Sequence, residues 1–159
     1  MAVTQLLRRT SATAAQAASL SAESLLEILD APTGSPEELL DLDWAPHPLE
    51  EAFRALGSSD DAVVISRACE GASVLNLAFP RGPDSYQVYS DIKFHSHTEV
   101  RELACLLAEL TIPSFAEVGP QLLPDTDSPA SYLQQHAMDL VSFYARAAIE
   151  QQVVVTWWD

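Results

Sequence analysis

Two periods run along this chain, one of three and four residues and one of two, and together they predict a domain that mixes helices with strands. Val3–Leu7 reads as a short edge strand and Ala12–Leu20 as an alanine-rich, weakly amphipathic helix. Ser21 stands where an N-cap is needed before Leu25, Leu26, Ile28 and Leu29, a helix that stops at the turn signal 31–34. Ser35-Pro36-Glu37-Glu38 combines a cap, a proline and two acids, and predicts a short helix running toward Trp44. After Pro46 and Pro48 interrupt the chain, Leu49, Ala52, Phe53 and Leu56 describe one helical face up to Gly57. The middle of the chain changes character. Ala62–Ile65 is apolar, Ser73–Phe79 alternates, Tyr86–Ile92 is strand-like, and the turn-rich loop 80–84 predicts an antiparallel hairpin. Ser96-His97-Thr98-Glu99 fits a capping box, so a helix follows with Val100, Leu103, Ala104, Leu106, Leu107 and Leu110 on one stripe, ended by Pro113. Ser128-Pro129 opens a second long helix with Leu133, Ala137, Leu140, Val141, Tyr144 and Ala148 inward, and Val153–Trp158 closes the chain as a strand.

The expected architecture is α+β: a small mixed or antiparallel sheet packed against two long amphipathic helices. No internal repeat or long linker divides the 159 residues, which predicts a single domain over 1–159, with 1–20 a flexible or added N-terminal segment. Charge changes the picture more than size does. Twenty-three carboxylates against eight basic residues leave a formal charge of −15, which opposes nucleic acid and anionic membranes and favours a basic protein as partner. No apolar run reaches the length of about 18 residues that a membrane span needs. Cys69 and Cys105 have no metal or redox spacing and read as reduced, buried side chains. Residues 1–22 carry Arg8 and Arg9 with many small residues, a composition shared with organellar transit peptides; we read them as a mature cytoplasmic segment.

Three segments carry a family likeness. Ile65-Ser66-Arg67-Ala68-Cys69-Glu70-Gly71, the capped start Ser96–Leu103, and the closing pair formed by Tyr132–Ala148 and Val153–Trp158 together resemble the YfbM-like family of bacterial domains of unassigned function. The likeness covers roughly 39–159 and implies an α+β fold and a bacterial cytoplasmic origin. It implies no reaction, cofactor or catalytic residue. This chain departs from the family at Asp43-Trp44-Ala45-Pro46-His47, where the family tends to carry Asp-Lys-x-Trp-His, and in a shorter loop before the last helix.

Candidate chemistry is sparse. His95 and His97 would share one side of a strand and could share a metal, but a cap at Ser96 turns the backbone between them, so we expect no metal site. Asp125-Thr126-Asp127-Ser128 begins like a calcium loop yet lacks its glycine and its glutamate. No nucleophile elbow, phosphate loop, dinucleotide fingerprint or zincin motif is present, and no cofactor is expected. The sequence therefore points to a binding protein: an acidic inhibitor or immunity protein that occludes a basic toxin encoded by a neighbouring gene. The candidate contact residues are Glu50, Glu51, Asp60, Asp61 and Trp158, the last because adjacent Trp157 and Trp158 must face opposite sides of a strand. The alternative is an enzyme whose dispersed site gathers Arg67, His95 and His97.

Overall fold

The run Val153–Trp158, here β5, contains three consecutive valines, and a strand apolar on successive residues has to be covered on both faces. A computed structural model, which describes residues 4–30, 38–75 and 91–158, shows how this is done. The strands are β1 (Gln5–Thr10), β2 (Leu39–Asp41), β3 (Ser73–Val74), β4 (Lys93–His95) and β5; they form one antiparallel sheet in the order β2-β1-β5-β4-β3. β5 lies at the centre. The segment that ends the chain is the spine of the sheet.

Side chains leave β5 alternately. Val153, Val155 and Trp157 join Leu6, Leu25, Ile28 and Leu29 under the helices α1 (Ala12–Leu20) and α2 (Ala22–Leu29). Val154 and Leu7 face the larger core, built by α3 (Pro46–Ala55), α4 (Ser59–Glu70), α5 (His97–Ala108), the short α6 (Gly119–Leu122) and α7 (Pro129–Ile149). Trp157 is 1% exposed, and burying an aromatic side chain of its kind removes about 150–250 Å² from water, worth up to roughly 4–6 kcal/mol at 25 cal/mol/Å². The α+β architecture is thus three-layered, and more than two helices cover the sheet.

Several elements follow their local chemistry. Ser21 caps α2 by accepting from the Ser24 N–H, and Ser96 and Glu99 form a complete capping box at α5. Pro46 and Pro48 lie in the first turn of α3, where a missing N–H costs nothing, so they open that helix rather than interrupt the chain before it. The apolar stretch 62–65, which the sequence groups with the strand-like segments, is instead helical: Ala62, Ile65, Ala68 and Cys69 are buried at helical spacing in α4.

Other expectations are corrected. Residues 39–41 are β2 and not the tail of a helix: β1 offers a row of N–H and C=O groups to pair, and Leu39 and Leu40 pack into opposite cores. β1 is not an edge strand, because β2 and β5 flank it, and residues 5–20 are integral to the sheet and its cover. Ser128 stands before α7 with φ 56° and no side-chain cap bond, so the proline alone marks that start. Ser73 and Val74 pair antiparallel with Phe94 and Lys93, so the partner strand β4 begins just past the expected 86–92. Residues 76–90 with the expected hairpin loop, the turn signal 31–34 and residues 35–37 lie outside the described residues. Cys69 is buried, but Cys105 is exposed on the outer side of α5.

Candidate functional site

β1 and β5 pair in a register that sets Gln5 beside Trp158 on the sheet face toward α3 and α4. α3 and α4 form an antiparallel hairpin over that end of the sheet, bringing the start of α3 to the end of α4. The result is a cleft of about 150 Å³ lined by Gln5, Pro46, His47, Glu50, Ser66, Cys69, Glu70 and Trp158. Two of the five residues singled out in the sequence, Glu50 and Trp158, meet there. Glu51 is on the same helix but turned to His47, 3.3 Å from its Nε2. Asp60 and Asp61 begin α4, at the opposite end of the hairpin and roughly 14–15 Å along the helix from Glu70 at about 1.5 Å per residue.

Polar groups in and behind the cleft are tied to the fold. Gln5 Nε2 donates to the Cys69 carbonyl, and the Tyr144 hydroxyl donates to the neighbouring Ala68 carbonyl at 2.6 Å. Ser66 Oγ donates to Glu70 at 3.1 Å, and Arg54 pairs with Glu50 one turn away. Burial pushes the Cys69 thiol far up, with Glu70 and Glu50 adding to the shift, so it is a packed thiol and not a nucleophile. Tyr144 is raised well above its ordinary value, again by burial first and by Cys69 second.

Of the alternative enzyme site, His95 and Arg67 are neighbours, with Glu99 close to both, and His97 stands apart. His95 is 3% exposed on β4, edge-on to Tyr144, and burial lowers its pKa against the opposing pull of Glu99 and the Arg67 and Ala68 carbonyls. Arg67 is exposed and paired with Glu102 at 3.0 Å. His97 begins α5 and lines a different, apolar hollow of about 340 Å³ with Ala12, Ala15, Leu75, Phe94 and Val153. The two histidines diverge at the capping box. Among the described residues no three metal-ligating side chains converge, and no helix is long and apolar enough to cross a membrane.

Sequence reasoning missed a second acidic corner beside the cleft. Asp43, held at φ 49°, accepts from the Tyr132 hydroxyl at 3.0 Å, and burial with that bond pushes Tyr132 up to about 12. His136 stacks edge-on against Tyr132, its pKa lowered by burial in spite of Asp139, Asp43 and Asp41 nearby. Trp44, next in sequence, is 56% exposed, whereas Trp158 is half-buried. The signal was available in Asp41-x-Asp43-Trp44, an aromatic flanked by acids where a short strand turns into a helix.

Comparison of this chain with protein-family models, with curated proteins and with solved structures finds no match. The likeness to the YfbM-like family rests on the three segments quoted for it.

Proposed function

We propose that this chain is an acidic binding module that engages a basic protein, acting as an inhibitor or immunity protein against a basic toxin encoded by a neighbouring gene. The observation that carries the reading is the convergence of carboxylates and tryptophan at one end of the α3–α4 hairpin, on a chain whose formal charge is −15. Glu50, Glu51, Glu70 and Trp158 lie at that end, with Asp41, Asp43 and the exposed Trp44 in the adjoining turn. Acids steer a basic partner and a desolvated aromatic anchors it. A hollow of about 500 Å³ between β2 and α7 supports binding better than catalysis, since Leu39, Leu40, Phe143, Ala145 and Ile149 dominate its lining. An enzyme gathered on Arg67, His95 and His97 draws less support, since His95 is buried, Arg67 is paired with Glu102 and His97 lines a separate hollow.

The test is surface-plasmon binding of the adjacent gene's product to charge-reversed variants. Reversal at Glu50 and Glu51 lowers the association rate more than reversal at Asp60 and Asp61, which sit at the far end of the hairpin. Trp158→Ala raises the dissociation rate and costs about 2 kcal/mol, the size of an aromatic anchor. Equal effects of the two reversals, with no effect at Trp158, would place the interface elsewhere.

A further inference from the structure

Gln5 is 2% exposed, and the two ends of its amide fare differently. Nε2 donates to Cys69, while the buried Oε1 has no hydrogen-bond partner. A buried acceptor without a donor is destabilising, and native folds seldom retain one without a reason. This one belongs to a residue that lines the cleft of α3, α4 and β5.

Two carboxylates, Glu50 and Glu70, share the cleft with it. Glu50 is already held by Arg54, but among the described residues no cation lies within ion-pair distance of Glu70, whose contact is the Ser66 hydroxyl. The N-terminus of α3 and the C-terminus of α4 meet here, and their opposite partial charges cancel to first order, which leaves the sign of the potential to the side chains. The volume of about 150 Å³ is that of about five waters at ~30 Å³ each. Small-molecule pockets begin at roughly 300 Å³, so this cleft has room for one side-chain headgroup and not for a metabolite.

A cationic headgroup could be an ammonium or a guanidinium, and two features favour the second. Trp158 forms one wall, and a guanidinium stacks on an indole face with a weaker hydration shell to lose. Its fork of five N–H donors also reaches a carboxylate and a separate amide oxygen at once, which a compact ammonium does less well. We propose that the cleft is a receptor for one arginine side chain of the basic partner, its N–H groups donating to Gln5 Oε1 and Glu70 and its plane lying against Trp158. This inference rests on the binding-module reading and gives it a chemical address.

The test uses Nα-acetyl-arginine amide and Nα-acetyl-lysine amide, two probes of equal charge, followed by two-dimensional NMR of the folded chain at about 0.01 M salt, where screening is weak. The arginine probe shifts the Trp158 indole N–H, the Gln5 side-chain amide and the Glu70 backbone, and saturates near a Kd of about 1–10 mM. The lysine probe binds at least about fivefold more weakly. Gln5→Leu removes the orphan acceptor but sits in the sheet, so Glu70→Gln is the second variant; it weakens the arginine probe about tenfold with the melting temperature unchanged. Asp61→Asn removes the same charge at the other end of the hairpin and leaves the affinity as it was. Equal binding of the two probes, no saturation, or equal losses from Glu70→Gln and Asp61→Asn overturn the pocket. A basic protein that binds while the arginine probe leaves the cleft unshifted overturns the pocket and keeps the module. An arginine probe that saturates the cleft while the adjacent gene's product does not bind overturns the module reading, and with it the assignment of the arginine to that partner.

Discussion

Lowering the pH toward 5.5 should destabilise this protein through His95, and the size of the effect follows from its surroundings. The imidazole is 3% exposed on β4, edge-on to Tyr144, and its Nε2 is buried without a hydrogen-bond partner. Burial lowers its folded-state pKa even though Glu99 and the carbonyls of Arg67 and Ala68 favour the cation. The unfolded chain takes up a proton near the ordinary value of about 6.5, and the folded chain does not. Stability from this group is therefore complete above about pH 6.5 and is lost as the pH falls below it, since the unfolded state then binds more protons. The loss by pH 5.5 is bounded at about 1.4 kcal/mol, the limit for an imidazole that stays neutral in the folded state. At a slope of about 2 kcal/mol per molar urea this is roughly 0.7 M in the unfolding midpoint. His136 contributes in the same direction but less, being half-buried with Asp139, Asp43 and Asp41 favouring its proton. The assay is urea unfolding at pH intervals from about 5.5 to 7.5 on the wild type and His95→Gln. The variant is less stable throughout because it loses the contact with Tyr144, and its midpoint falls less than the wild type's as the pH is lowered. Parallel pH dependences in the two proteins would refute the reasoning by showing that His95 takes up its proton in the folded state.

Gly71 closes α4 at φ 72°, and a Cβ there would stand 2.6 Å from the Lys93 Cβ, so Gly71→Ala should cost about 2 kcal/mol or more in urea unfolding. Gly57, at φ 84° with open space around it, should lose only the backbone part, about 1 kcal/mol on replacement by alanine. In thiol titration with an aromatic disulfide, the native protein should release one equivalent promptly from the exposed Cys105 and the second, from Cys69, only on unfolding. Two prompt equivalents would mean that the α3–α4 core opens easily.

Where cap and helical face lie within a few residues of each other, as at α2 and α5, the structure agrees with the sequence, whereas Ser128 makes no cap bond. Ser96 and Glu99 announce α5 because both partners of the cap lie within four residues, and Leu25, Ile28 and Leu29 mark the buried face of α2 for the same reason. Properties set by distant partners were not readable. β2 exists because β1 needs a neighbour, and no propensity in Leu39-Leu40-Asp41 says so. Arg8 and Arg9 look like surface charge in the sequence, yet both are buried; Arg9 pairs with Glu150 at 3.0 Å and lies over the Phe143 ring, contacts that span some 140 positions. The cleft shows the same limit. Gln5, Glu50, Glu70 and Trp158 come from β1, α3, α4 and β5, and only the register of β1 on β5 makes neighbours of the first and last. Sequence could nominate Glu50 and Trp158 as residue types, but not the glutamine between them.

The proposed function is electrostatic recognition of a basic protein by the acidic end of the α3–α4 hairpin. Its most direct test is the association rate with the adjacent gene's product over a salt series, beside an unrelated basic protein of like charge. As the Debye length shrinks from about 30 Å at 0.01 M to about 10 Å at 0.1 M, association should slow by about tenfold or more while dissociation changes little. The unrelated protein should show no saturable binding at micromolar concentration. Association that is indifferent to salt, or no binding of the adjacent gene's product in that range, would contradict the claim.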